Sequence, residues 1–282
     1  MPVVSQKTEN NRLVTTFETT PVMSSYLLAW VYGDMLSKTA KTKNDVEVTV
    51  WATVAQSDAA LDFSLDIAVR ALEFFEQYYG VPYPLPKCDH VALPDFSSGA
   101  MENWGLITYR ESVLLVEPGI AGVSSRHLAA LVIAHELSHQ WFGNLVTMKW
   151  WNNLWLNESF ANLMEYLGPD ALHPEWQIWN DFNSHEAVAA LRRDAIDGVQ
   201  SVQVDVNHPD EISTLFDPAI VYAFSTQPSY TQRVADSCAC CSVILVMKTS
   251  KKAFAPTLLS MPTATLKNLI YGALCLMRAA KT

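Results

Sequence analysis

Five residues near the middle of the chain, His135-Glu136-Leu137-Ser138-His139, constrain it more than any other stretch. On an α-helix, residues four apart share a face, one turn above each other. His135 and His139 therefore aim two imidazoles at one point, with Glu136 beside them. A helix offers two nitrogen ligands to a zinc ion in this way, the glutamate serving as general base. The flanks permit a helix. Residues 127–134 contain neither Gly nor Pro, and Gly143 is the first residue beyond the motif able to stop it. The same five residues also arise by chance on a buried helix, and a third ligand decides between the two readings.

A catalytic zinc takes three protein ligands and keeps a fourth position for water. Eighteen residues separate His139 from Glu158, which stands in Trp155-Leu156-Asn157-Glu158-Ser159-Phe160-Ala161-Asn162. This stretch reads as a second helix, running through Met164 and Glu165 to Gly168-Pro169. Two such helices can turn Glu158 toward the histidine pair. Taken alone, Glu158 also reads as a solvated helix carboxylate. Upstream lies a third stretch, Gly99-Ala100-Met101-Glu102-Asn103-Trp104-Gly105-Leu106.

In this order and spacing the three stretches resemble the zinc aminopeptidases of the aminopeptidase N family, the gluzincins. The surrounding text is most similar to that of bacterial members: Ile107-Thr108-Tyr109-Arg110-Glu111, the run from His139 to Trp151, and Asp197-Gly198-Val199-Gln200-Ser201. The resemblance covers roughly residues 13 to 223. It implies an α+β fold, a thermolysin-like zinc metallopeptidase catalytic domain over 46–224. A remnant of an N-terminal β-domain over 1–45 would precede it, and 225–282 would be an aberrant tail.

The resemblance also implies roles. One Zn2+ per chain would sit on His135, His139 and Glu158, acidify a water and polarise the scissile carbonyl. Glu136 would take the water's proton and pass it to the leaving amine. Tyr222, at the end of the segment from His208, would donate to the oxyanion. Gly99, Ala100, Met101, Glu102 and Asn103 would bind substrate. The backbone there would run as an edge strand beside the peptide, kept free of bulk by Gly99 and Ala100. Glu102 would hold the α-ammonium. Partners are then peptides with a free N-terminus, and the product is one N-terminal amino acid. The chain departs from the pattern at two places. By the resemblance, the β-domain part that supplies the family's second amine-binding side chain would be missing, and Ala223-Phe224 follows Tyr222 where the family has a Lys-Gly pair. Two other readings stand beside this one: a catalytically impaired zinc-binding fragment, and a related zinc hydrolase with another substrate.

No run of eighteen or more apolar residues occurs, so no membrane segment is expected. The N-terminus lacks a basic-then-apolar leader, which points to the cytoplasm. A net charge of −10 argues against nucleic acid as a partner. Cys88 is the one cysteine of the first 224 residues, so no disulfide framework is expected there.

Local patterns give further expectations. Residues 1–10 read as loose, 14–20 and 26–32 as strands, 38–45 as a polar linker and 46–52 as a strand. Residues 58–79 read as an amphipathic helix with Leu61, Leu65, Ala68, Leu72 and Phe75 on one face. Residues 80–86 form an extended connector, a strand follows from His90, and helical text runs from Pro174 to Arg193. His90, His173, His185 and His208 read as structural or surface residues. Trp150, Trp151 and Trp155 read as core or pocket wall, and Asn162 as a hydrogen-bond partner for a ligand.

The composition breaks near residue 225. Residues 225–282 hold seven Lys/Arg and one acidic residue, Asp236, whereas 1–224 hold 12 basic and 28 acidic residues. Four of the five cysteines are in that tail: Cys238, Cys240, Cys241 and Cys275. Their spacing offers no second cluster for a zinc finger. Out-of-frame translation accounts for the break. Joining the third base of each codon to the first two of the next lets residues 260–265, read on into Leu266, encode His-Ala-Tyr-Gly-Asn-Ala, with Met261-Pro262 forcing the first Ala. The same shift lets Leu245-Val246-Met247-Lys248-Thr249 encode Gly-Asp-Glu-Asp, with Met247-Lys248 forcing Glu. These words resemble the family's text downstream of the tyrosine, in the expected order.

Overall fold

The structure is a computed structural model and describes residues 1–188 and 205–212, together with Arg192 and Ala195. Tyr222, the stretch 197–201 and the tail 225–282 lie outside the described residues.

The chain opens with a hairpin rather than a loose end. Strands β1 (Val3–Glu9) and β2 (Arg12–Phe17) pair antiparallel around Asn10 and Asn11. Both asparagines have positive φ, 49° and 60°. That is the turn geometry whose twist suits a two-residue hairpin loop, and Asn tolerates it. The text of 26–32 does not make a strand. Ser25–Leu27 is a single 3-10 turn, and residues 28–32 pair with no strand among the described residues. The period-2 pattern is nevertheless real, because Leu28, Trp30 and Tyr32 are exposed at alternate positions, 58%, 74% and 92%. An extended backbone without a neighbouring strand has the alternation and lacks the ladder.

The main sheet has five strands in the order β3-β4-β5-β7-β6. They are β3 (Met35–Lys41), β4 (Glu47–Thr53), β5 (Lys87–Leu93), β6 (Ala100–Met101) and β7 (Leu106–Arg110). β3 is antiparallel to β4, β4–β5 and β5–β7 are parallel, and β6 runs antiparallel to β7. Residues 38–41, expected as linker, thus belong to an edge strand. Lys38 and Lys41 read as linker because charged residues suit a sheet edge as well as a loop; Lys41 faces solvent, while Lys38 pairs with Asp58 at 2.8 Å and Asp62 at 2.6 Å. The opposite edge is β6, two residues of the Gly99–Asn103 stretch, with Ala100 opposite Tyr109 and Met101 opposite Thr108.

Helix α1 (Asp62–Tyr79) follows a 3-10 turn, Asp58–Leu61, capped by the Ser57 hydroxyl accepting from Ala59 N–H at 3.2 Å. It ends at Gly80, φ 64°, the left-handed residue that closes a helix without Cβ strain. Ile67, Ala68, Ala71, Leu72, Phe75 and Tyr79 form its buried face, at the three- and four-residue steps of one helix stripe. Glu76 is buried there too, accepting from Tyr83 N–H at 2.9 Å and Asn44 Nδ2 at 2.8 Å. A one-turn helix α2 (Glu111–Leu114) leads to α3 (Val123–His139), which packs on both α1 and α4 (Leu154–Leu172).

From Ala129 to His139 nearly every residue of α3 is buried, so this helix runs through the core and shows no polar stripe. Phe75 and Leu137 are fully buried where these helices meet. Cutting either to Ala would cost about 2–5 kcal/mol, comparable to a domain's whole stability of about 5–15 kcal/mol. Gly168 marks the closest approach, where an added Cβ would lie 3.3 Å from both Ala134 Cβ and Phe75 Cζ. Helix α4 continues past Pro169, which has no N–H for the Glu165 carbonyl. The helix ends at Leu172, whose carbonyl accepts from Arg70 Nη2 at 2.7 Å.

Cys88 and His90 stand two apart on β5 and turn their side chains to one face, both fully buried. His90 Nδ1 meets the Tyr109 hydroxyl at 2.9 Å. Burial pushes His90 down to about 3 and the Cys88 thiol up to about 12, so both stay neutral. After Pro174 the chain makes short helical pieces, including α5 (Ile178–Asp181) and a π-type turn over Phe182–Ala187, not one long helix. No helix among the described residues is long and apolar enough to cross a membrane. The expected α+β class is what the chain adopts.

Candidate metal centre

The site forms where α3 and α4 touch, behind the β6 edge. One turn of α3 separates His135 from His139, and their Nε2 atoms face each other at 3.0 Å. Glu158, in the second turn of α4, brings Oε2 to 3.4 Å from His135 Nε2 and 3.5 Å from His139 Nε2. A tetrahedral ion with bonds of about 2.0–2.1 Å sets its ligand atoms about 3.3–3.4 Å apart. The triangle thus has the dimensions such an ion requires.

The tautomers agree with this. His139 Nδ1 faces two oxygens, the Phe142 carbonyl at 3.1 Å and Asn157 Oδ1 at 2.9 Å. It must donate, which leaves the Nε2 lone pair pointing inward when the ring is neutral. His135 Nδ1 donates to Glu165 Oε2 at 2.8 Å in the same way. Two lone pairs and a carboxylate oxygen converge on one buried point, which suits a cation and repels anything else.

The electrostatics are preset for positive charge. Burial opposes a charged His139, yet Glu102 and Glu158 outweigh it and push the ring up to about 9. His135 is raised well above its ordinary value, because hydrogen bonds to Glu158 and Glu165 overcome its burial. Glu158 is held well below the usual carboxylate range: the charge on His139 and its bonds to both rings outweigh burial. Protons therefore stand in for the metal. Zinc must displace them, so its uptake near neutral pH should release protons, and affinity should rise with pH across the neutral and mildly alkaline range as both rings lose their protons. Calorimetry in buffers of differing ionisation enthalpy checks this. A proton release of zero at pH 7 would contradict it.

Glu136 projects from the same helix. Its Oε2 is buried and makes no hydrogen bond among the described residues. Burial raises its carboxyl to about 8 against the pull of His135 and His139. In its ionised form, which a bound cation beside it would favour, this carboxylate can take a proton from a water at the open position of the metal.

Glu102 is buried just after β6, and ligand atoms of Glu102, Glu136 and His139 all lie within 4.8 Å of one another. Its backbone carbonyl accepts from Asn144 Nδ2 at 2.9 Å and Gln140 Nε2 at 3.4 Å, both from the turn that ends α3. These amides tie the sheet edge to the metal helix. Gly99, Ala100 and Met101 line that edge, and the Gly99 carbonyl accepts from Arg110 N–H at 2.8 Å. The Asn103 side chain is engaged elsewhere. It accepts from Thr108 Oγ1 at 2.9 Å and donates to the Leu27 carbonyl at 3.3 Å.

Three residues here were not picked out from the sequence. Glu165 and Asn157 hold the two imidazoles. Glu165 stands seven positions after Glu158, two helical turns on the same face, a spacing that could have flagged it. Tyr26 reaches the site from the N-terminal segment. Its ring packs on Trp151 at 5.1 Å, and its buried hydroxyl makes no hydrogen bond among the described residues. Burial, then the charges of Glu102 and Glu158, raise its hydroxyl far above the ordinary tyrosine value. Asn162 is buried on α4. Tyr222 is not among the described residues.

Comparison with known proteins agrees with this geometry. The family described as the peptidase family M1 domain matches residues 63–227, more than half of the chain. Aminopeptidase N of Lactococcus lactis subsp. cremoris is 65% identical over 207 residues, 73% of this chain and 24% of the relative. Aminopeptidase N of Lactobacillus helveticus is 58% identical over 207 residues, with the same shares of 73% and 24%. The puromycin-sensitive aminopeptidase of Caenorhabditis elegans is 44% identical over 227 residues, 80% of this chain and 24% of the relative. The chain thus spans about a quarter of the length of these relatives.

Proposed function

Because the chain belongs to the M1 peptidase family, we propose that it is a zinc aminopeptidase that removes single residues from peptides with a free N-terminus. The observation that carries this is the convergence of His135, His139 and Glu158 on one point with two further buried carboxylates, Glu136 and Glu102, beside it. One Zn2+ per chain fits the three ligands. When bound, it supplies Lewis acidity toward the scissile carbonyl and lowers the pKa of a water.

The protein's own groups do the rest. Glu136 accepts the water's proton and returns it to the departing amine. Glu102 holds the substrate's α-ammonium, and the fixed reach from there to the metal admits only the first peptide bond. The β6 edge offers backbone groups of Gly99, Ala100 and Met101 for pairing with an extended peptide. Tyr222 is proposed as oxyanion donor, on resemblance alone. The proposal includes a division into a β-segment 1–45, a catalytic part 46–224 and a tail 225–282, although β3 before residue 45 pairs into the catalytic sheet. A cytoplasmic site of action belongs to the same proposal.

Glu102→Ala tests the anchor. It should raise KM for aminoacyl anilides by about tenfold or more, as expected for loss of a charge-assisted contact, and leave hydrolysis of N-blocked substrates where it was. Equal effects on free and blocked substrates would remove Glu102 from that role.

One observation favours a second reading, a zinc-binding chain with impaired catalysis. The family match ends at residue 227, close to the composition break, and the Lys-Gly pair expected after Tyr222 is absent. Sequencing the gene separates the causes. DNA that encodes Tyr-Gly-Asn-Ala in the shifted frame supports a frameshift, and restoring the frame should then raise activity.

A further inference from the structure

The Asn157 side chain joins the two halves of the site. Its Oδ1 accepts from His139 Nδ1 at 2.9 Å, and its Nδ2 approaches Glu102 Oε1 at 3.5 Å. It is 5% exposed, so neither end is competed for by bulk solvent. The chain makes room for it at Gly143, where φ is +131° and an added Cβ would lie 2.3 Å from Asn157 Oδ1. Any side chain at 143 would push the amide off His139.

We infer that Asn157 is a positioning residue that couples the metal ligand His139 to the amine anchor Glu102. One planar amide reads both groups with opposite polarity, its oxygen toward the imidazole N–H and its nitrogen toward the carboxylate. The acceptor end fixes the His139 ring so that Nε2 points at the metal. The donor end fixes the carboxylate that faces the substrate's ammonium. The distance between metal and ammonium is therefore set by a rigid group, which is what a strict exopeptidase needs. The Phe142 carbonyl also accepts from His139 Nδ1 at 3.1 Å, so losing Asn157 weakens the orientation without abolishing it.

The inference rests on the reading of Glu102 given above, and its test uses binding alone. Zinc affinity of the full chain is measured by chelator competition. Preference for alaninamide over N-acetylalaninamide is measured by calorimetry on the zinc-loaded protein. Asn157→Ala should weaken zinc about tenfold, the lower end of what losing a ligand's hydrogen-bond partner costs. It should also reduce the preference for the free amine about tenfold. In a Glu102→Ala background, Asn157→Ala should still weaken zinc and should have no further effect on the preference. Asn157→Asp keeps an acceptor for His139 and should hold zinc at least as tightly as the parent, which keeps the test open if the alanine variant does not fold.

Unchanged zinc affinity in Asn157→Ala, or weakened affinity in Asn157→Asp, overturns the inference. So does an effect of Asn157→Ala on the amine preference that persists in full without Glu102. If Glu102→Ala itself leaves that preference unchanged, the reading of Glu102 fails instead, and the two failures are told apart.

Discussion

Glu136→Gln is expected to keep its zinc and lose nearly all turnover. The substitution is close to isosteric, so α3 and its packing against α1 and α4 stay as they are. His135, His139 and Glu158 are untouched, and zinc content should remain at one per chain. What disappears is the only carboxylate on α3 inside the site, one whose Oε2 is buried with no hydrogen bond among the described residues. An amide cannot accept the water's proton, and removing a positioned general base costs about 10²–10⁴-fold in rate. Elemental analysis together with kcat on an aminoacyl anilide checks both halves. Full activity in the variant would exclude Glu136 as the base. Loss of zinc would mean that Glu136 helps to hold the metal.

Glu158→Ala should fail in the opposite order, losing the metal itself. Its Oε2 is one corner of a triangle whose other corners are two imidazole nitrogens. With two ligands left, the ion has no closed set. Affinity should drop by more than the ~10–100-fold that follows loss of a mere hydrogen-bond partner. The metal-free fold should suffer as well. Burial of two imidazoles is tolerated because Glu158 and Glu165 offset their charge, and removing one carboxylate leaves charge less compensated. Zinc bound as in the parent would take Glu158 out of the site.

These variants could be chosen from the sequence because helical period and motif spacing survive translation into space. His135 and His139 had to share a face once the stretch was helical. The stripe Leu61, Leu65, Ala68, Leu72 and Phe75 placed α1 for the same reason, although its first turn is 3-10. Glu158 was found through its eighteen-residue spacing from His139 together with its surrounding words, and Glu102 through its words alone.

What escaped had local text that resembles something commoner. Asn157 and Glu165 are polar helix residues, and only the tertiary meeting of α3 with α4 gives them partners. Val3–Glu9 looked loose because a two-stranded hairpin in solvent needs no buried face. Residues 38–41 looked like the start of a linker because the charged Lys38 and Lys41 fit a sheet edge as well as a loop, Lys38 finding Asp58 and Asp62 only in the folded chain. Tyr26–Tyr32 looked like a strand because its residues have high β-propensity, which supplies no partner. Tyr26 could not be placed at the site, because nothing between it and residue 102 announces that the Leu27 carbonyl meets Asn103.

The central claim is that the three-ligand site and Glu102 together make an enzyme for peptide N-termini. The direct measurement is hydrolysis of alanyl anilide and N-acetylalanyl anilide by the full chain after zinc loading, with bound zinc counted in the same sample. One zinc per chain and cleavage of the free-amine substrate alone is the result predicted here. One zinc per chain with neither substrate cleaved, or both cleaved alike, would contradict it.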